Sequence, residues 1–133
     1  MIVVDTNIIG CLYLTGERSH QAERALLKEP GWAAPVLWRS EFQSVLALYL
    51  RRKLMELPDA QQIMDEATGL MRGREYEVVS SEVLRLAAAS ACSAHDCEFV
   101  ALAQDLDLPL VTVDRQVLHQ FPDRAVSLEA FAG

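Results

Sequence analysis

The chain has 133 residues, the size of one ordinary domain and enough to bury a single core. With 51% hydrophobic and 23% charged residues, it is not a disordered, collagen-like or charged-tail polymer. Twelve basic against nineteen acidic side chains leave a formal charge of −7, which argues against a basic wrapper of DNA or a binder of anionic membranes, but not against nucleic acid met through a divalent cation.

Ile2-Val3-Val4 predicts a short buried strand that stops at Asp5. A helix follows through Ile8, Ile9, Leu12 and Tyr13 and ends at Gly16, and Ser19 is placed to cap a second helix with Ala22, Ala25 and Leu26 on one face. Pro30-Gly31 is a turn, Trp32 to Val36 a short strand, and 37–54 a long amphipathic helix with Phe42, Val45, Leu46 and Tyr49 as its stripe. Pro58 suits a first helical turn, ahead of Ala60, Ile63, Met64, Ala67 and Met71. Tyr76 to Val79 predicts a strand, with Ser80 or Ser81 capping a helix to about Ala91. Phe99, Leu102, Ala103 and Leu106 mark another helix, and Leu110 to Val113 is the clearest buried strand, ending at Asp114. A short helix, a weak strand at 125–127 and a tail close the chain. Strands alternating with helices imply an α/β fold with a mostly parallel sheet.

Cys11, Cys92 and Cys97 are an odd, dispersed set with no CxxC, so neither a disulfide framework nor a zinc finger is indicated. The N-terminus lacks a basic n-region and no apolar run reaches membrane-spanning length. The expectation is a soluble cytoplasmic protein with no membrane partner.

In open parallel sheets, ligands bind beyond the carboxyl ends of the strands. Asp5 and Asp114 each directly follow a strand, and Glu41 and Asp96 lie in the opening turns of helices that start at the same edge. Four carboxylates from distant positions are thus predicted to converge. Two carboxylates about 5 Å apart at an effective dielectric near 20 repel by roughly 3 kcal/mol. The helix N-termini under Glu41 and Asp96 return only about 0.3–1 kcal/mol each. Either some of these acids are protonated, or a cation sits among them. All-oxygen ligands without His or Cys suit Mg²⁺ or Mn²⁺, which supplies a hydroxide-like nucleophile and draws in phosphate. Phosphodiester hydrolysis is the leading chemistry. Each acid also has a structural explanation: Asp5 and Asp114 as helix caps, Asp96 as part of a Ser93-Ala-His-Asp96 capping box, and Glu41 as a solvated boundary residue. Agreement of all four on one edge favours the functional one. Glu98, Asp105 and Asp107 read as solvated, and His20, His95 and His119 lack metal-pair spacing.

The local words around these acids resemble one family. Asp5-Thr6-Asn7 after a terminal strand, Glu41 in Ser-Glu-Phe-Gln-Ser-Val-Leu, Asp96 in Asp-Cys-Glu-Phe-Val-Ala-Leu-Ala, and Val-Thr-Val-Asp114 resemble the PIN-domain nucleases. The whole is similar to the VapC toxins of bacterial toxin–antitoxin pairs. The resemblance covers nearly the whole chain, with the four acids in the family's order. It implies a three-layer α/β/α fold in a single PIN-like domain spanning 1–133. It also implies that Asp5, Glu41, Asp96 and Asp114 form a catalytic Mg²⁺ or Mn²⁺ site, with Thr6, Asn7 and Thr112 holding the acids or the attacking water. The substrate would be RNA, cut by an activated water to leave a 5′-phosphate. A VapB-like antitoxin would fill the cleft with a basic side chain, and a homodimer is expected, with Leu12 and Leu14 as candidate surface. His95 departs from the family, which often has Tyr before this Asp, and affects the shape of the cleft rather than the acids. The family diverges most around 54–74, so substrate choice does not transfer.

For RNA contact, Arg51, Arg52 and Lys53 are candidates, as are Arg72 and Arg74, while Arg115 is better placed beside Asp114. Basic residues at a helix C-terminus also simply complement its dipole. Trp32 and Trp38 are suited to base stacking or to the core. A receiver-type phosphoacceptor would need an acidic pair after the first strand and a late Lys, and a haloacid-dehalogenase-like phosphatase a second Asp at Asn7; both fit poorly. The remaining alternative is a catalytically idle PIN fold that works only by binding in a protein or RNA complex.

Overall fold

Ile2, Val3 and Val4 are all buried, with none of the in–out alternation of a sheet that has one wet face. The computed structural model, which describes residues 1–133, shows why. The strands β1 (Ile2–Val4), β2 (Trp32–Pro35), β3 (Glu75–Tyr76), β4 (Leu110–Thr112) and β5 (Ala125–Ser127) form one sheet in the order β3-β2-β1-β4-β5. Every neighbouring pair is parallel. β1 lies at the centre, covered on both faces. The chain lays down β2 and β3 on one side of β1, then returns to place β4 and β5 on the other. The switch point in strand order therefore falls between β1 and β4.

Helices α1 (Thr6–Tyr13) and α2 (Ser19–Lys28) connect β1 to β2, and α3 (Trp38–Arg51) and α4 (Leu57–Met71) connect β2 to β3. Helices α5 (Ser80–Ala88) and α6 (Ala94–Leu106) lead to β4, and α7 (Arg115–Gln120) to β5. One group of helices joins α1 to α2, α3 and α4, and α2 to the last helix, α8 (Leu128–Ala132); α5 and α6 pair with each other. The five residues from Phe99 to Ala103 are all buried, because α6 packs on β1, β2 and β4 while α5 covers it from outside. A helix enclosed in this way needs apolar residues all round rather than one stripe. The α/β architecture expected from the sequence is the one observed, and no helix is long and apolar enough to cross a membrane.

Several expected details differ. β3 stops at Tyr76 instead of running to Val79. Its only neighbour, β2, ends at Pro35 and turns into α3, so residues 77–79 have no partner strand. Ser19 does not cap α2. Its hydroxyl accepts from the Gly16 N–H at 3.0 Å and donates to the Leu14 carbonyl at 3.2 Å, closing the preceding turn. Neither Ser80 nor Ser81 caps α5, which starts after Val79 without a side-chain cap. The C-terminal tail is helix α8, capped by the Ser127 hydroxyl, which accepts from the Ala130 N–H at 3.1 Å.

Candidate active site

The register β1–β4 pairs Val4 with Val111, and the Asp5 N–H donates to the Val111 carbonyl at 3.3 Å. One residue beyond each partner, Asp5 and Thr112 stand side by side. The Thr112 hydroxyl donates to Asp5 Oδ2 and accepts from the Asp114 N–H at 3.0 Å. Thr112 is fully buried, so this hydroxyl has no competing water and fixes both acids at the switch point. Asp5 Oδ1 accepts from the Ile8 N–H at 3.2 Å, capping α1. Asp114 Oδ1 accepts from the Gln116 and Val117 N–H groups at 2.8 and 3.2 Å, capping α7. The cap and the site are thus not rivals. One oxygen of Asp114 serves the helix, and no intramolecular hydrogen bond claims the other.

Glu41 sits in the first turn of α3, where its Oε1 accepts from the Thr6 hydroxyl at 2.7 Å. The half-buried Glu41 is therefore tied to the residue after Asp5 rather than loosely solvated. At α6 the Ser93 hydroxyl accepts from the Asp96 N–H at 3.1 Å, but the Asp96 carboxylate makes no reciprocal bond. Only half of the capping box forms, and the Asp96 carboxylate accepts no hydrogen bond from the protein.

Asp5, Glu41, Asp96 and Asp114 all line one pocket of about 390 Å³, together with Thr6 and Asn7. The convergence anticipated from sequence is present. The acids are spread around the walls, however, and no three His, Cys, Asp or Glu side chains are grouped so as to hold an ion as they stand. Burial pushes the Asp5 carboxyl up to about 6, with the Asp114 charge adding to the rise, while the Thr112 hydroxyl and the Ile8 N–H pull it down. His95 lines the pocket, as expected of a residue that shapes the cleft, and Ser44, Val45, Phe99, Leu110 and Val117 line it without having been anticipated as site residues. Spacing held the signal for most of them: Ser44 and Val45 lie three and four residues after Glu41 on α3, and His95 and Phe99 flank Asp96 on α6.

Other expected site residues fall elsewhere. The Asn7 side chain lines the pocket but holds none of the acids, which leaves that work to Thr6 and Thr112. Arg51, Arg52 and Lys53 close α3 and follow it, some ten residues past Glu41 and so about 15 Å along the helix, and none lines the pocket. Arg74 is spent on the backbone, donating to the Trp32 carbonyl at 2.9 Å and to Leu70. Arg115 lines a neighbouring groove instead. Trp32 and Trp38 are fully buried and belong to the core. Glu98 is half-buried rather than solvated, facing a groove with Val36, Leu37 and Val83, and burial raises its carboxyl.

The model of the PIN domain family matches residues 2–123, which span every strand but β5 and all four acids. The chain belongs to the PIN domain family. A protein from Pyrobaculum aerophilum named Ribonuclease VapC3 is 31% identical over 124 residues, covering 91% of this chain and 95% of that one. Among solved structures, PAE2754 from the same organism superposes with a TM-score of 0.78 at 19% identity, covering 98% of this PIN domain and 85% of that chain. A toxin–antitoxin complex from Klebsiella pneumoniae gives a TM-score of 0.72 at 17% identity, with 96% and 98% covered. FitAcB from Neisseria gonorrhoeae gives 0.75 at 17%, with 97% and 99% covered. At such identities the structures speak to the fold, which is the parallel α/β sandwich described above.

Proposed function

We propose that this PIN domain is a metal-dependent endoribonuclease of the VapC type. The observation that carries the proposal is the arrival of Asp5, Glu41, Asp96 and Asp114 from four distant segments at one pocket on the switch point of the sheet. Similarity to a protein named Ribonuclease VapC3 over nearly the whole chain supports the choice of RNA as substrate. The donor set suits a hard cation, since four carboxylates supply oxygen ligands and no thiolate lines the pocket. Mg²⁺, or Mn²⁺ in its place, would be held by these four acids and would supply an activated water and charge neutralisation at the phosphate. Thr112 and Thr6 keep Asp5 and Glu41 aimed into the pocket, and the Asp96 carboxylate, which accepts no bond from the protein, is free to turn toward a ligand.

The toxin–antitoxin complex among the structural neighbours supports an antitoxin partner, and we take it to be VapB-like, presenting a basic side chain to the acids in a cytoplasmic setting. We also propose a homodimer, for which Leu12 and Leu14 offer only partly exposed apolar surface. Both pack against the core, whereas Leu54, Val79 and Leu84 are exposed.

The test is incubation of purified protein with total RNA and Mg²⁺ or Mn²⁺, beside Asp5→Ala, Asp96→Ala and Asp105→Ala. Fragmentation by the parent and by Asp105→Ala, abolished in the other two and by a chelator, is the expected result. Asp105 is exposed on the same helix as Asp96 and controls for charge alone. Equal cutting by all four proteins removes the assignment. No cutting by any under either metal leaves a PIN fold that works only by binding.

A further inference from the structure

Five of the 12 Lys and Arg side chains are engaged within the fold. Arg39, Arg85 and Arg124 pair with carboxylates, Lys28 holds the Phe131 carbonyl, and Arg74 holds two backbone carbonyls. The remaining seven make no hydrogen bond, ion pair or cation–π contact. Of these, only Arg18 and Arg115 line any of the five principal cavities, and they line the same one. Two guanidiniums from distant parts of the chain, one before α2 and one opening α7, are brought to a single groove of about 370 Å³.

That groove and the acidic pocket are linked by shared wall residues. Thr6 and Asn7 are shared between the pocket and a second cavity of about 480 Å³, and Arg18 and Val113 are shared between that cavity and the arginine groove. A track thus leads from the four acids, past the α1–α2 turn, to Arg18 and Arg115. Glu17 and Glu129 share the groove, but neither lies within ion-pairing distance of either arginine, so both guanidiniums remain unneutralised. The protein as a whole carries a net charge of −7, so a polyanion needs local positive charge to approach the acids.

The geometry points to a phosphate-binding track for the RNA strand, in which Arg18 and Arg115 grip backbone phosphates a few nucleotides from the one held at the acids. This inference rests on the ribonuclease assignment and adds the direction in which the strand leaves the pocket. Contacts of this kind are made to phosphate rather than to base, so they contribute affinity and register without sequence preference. They also carry a signature, because each phosphate contact to a single strand releases about 0.7 counterion.

The test is fluorescence anisotropy with a labelled oligoribonucleotide of uncleavable phosphorothioate linkages, in Mg²⁺, across a series of salt concentrations. Arg18→Gln and Arg115→Gln are each expected to weaken binding about fourfold near 0.15 M salt and to lower the log–log salt slope by about 0.7. Arg24→Gln, which removes the same charge from a free arginine outside the track, should leave the slope unchanged. Equal losses in all three variants, unchanged slopes in the first two, or a parent that does not bind the probe would overturn the track. So would Arg18 and Arg115 variants that bind RNA like the parent but release a co-expressed protein partner. A parent that binds with the expected slope pattern yet never cuts unmodified RNA sinks the nuclease assignment and leaves the track standing.

Discussion

Thr112 joins the two acids that the strands deliver. Its hydroxyl donates to Asp5 and accepts from the Asp114 N–H at 3.0 Å, in a fully buried position. Thr112→Val keeps the shape and removes both bonds, leaving a backbone N–H and a carboxylate oxygen short of partners. The expected cost is about 1–3 kcal/mol, read by urea denaturation. The same hydroxyl favours the ionised form of Asp5, so its loss raises a carboxyl that burial has already pushed up to about 6. The acidic limb of the pH–rate profile for RNA cleavage should therefore move to higher pH in Thr112→Val and return in Thr112→Ser. A valine variant with the parent's stability and profile would mean that Asp5 is positioned without the Thr112 hydroxyl, by its strand and the Ile8 N–H.

At the level of elements, the two-residue strand β3 is tied to β2 by ladder bonds and to α3 by side chains. Glu75 accepts from Trp38 Nε1 at 2.7 Å and takes a two-pronged grip from Arg39 at 2.5 and 2.6 Å, with 15% of its side chain exposed. The Arg39 bond holds its carboxyl below the usual range. A lowered value means stability that is present above the unfolded pKa and lost as pH falls through the folded one. Glu75→Gln should thus cost about 1–3 kcal/mol near neutrality, with the melting temperatures of parent and variant converging as pH falls below the ordinary glutamate value of 4.5 and through the lowered folded one. A gap that persists in acid would assign the effect to packing. The same region shows where sequence stops being legible. Ile2–Val4 and Leu110–Thr112 announce themselves as strands because both faces are buried, and the acids that follow them are read directly. The length of β3 is set by where its neighbour turns away at Pro35, which no local pattern in 76–79 carries. In the same way, the Asp5–Thr112 bond depends on register between segments more than a hundred residues apart. Arg51–Lys53 lie outside the acidic pocket because helix length, not sequence adjacency, carries them away from Glu41.

For the whole molecule, the decisive quantity is the charge gathered at one sheet edge of a protein already at −7. Asp5 is raised from 3.8 to about 6 by burial, so the folded state favours its proton over that range. Folded stability then falls as pH climbs through the window from 3.8 to about 6, and the full penalty, at most about 3 kcal/mol, is present above it. A cation among the acids acts in the opposite sense, because it binds the ionised carboxylates. The gain in melting temperature from Mg²⁺ or Mn²⁺ should therefore be small near pH 4 and grow toward neutrality, reaching roughly 10 °C at a hundredfold excess over the dissociation constant. Asp5→Asn removes the buried charge. It should melt higher than the parent in chelator at neutral pH and respond little to the metal, while Asp105→Asn behaves as the parent does. Differential scanning fluorimetry over a grid of pH and metal decides the matter. A metal response of the same size in Asp5→Asn and at every pH would be nonspecific screening, and the pocket would then be an acidic surface rather than a cation site.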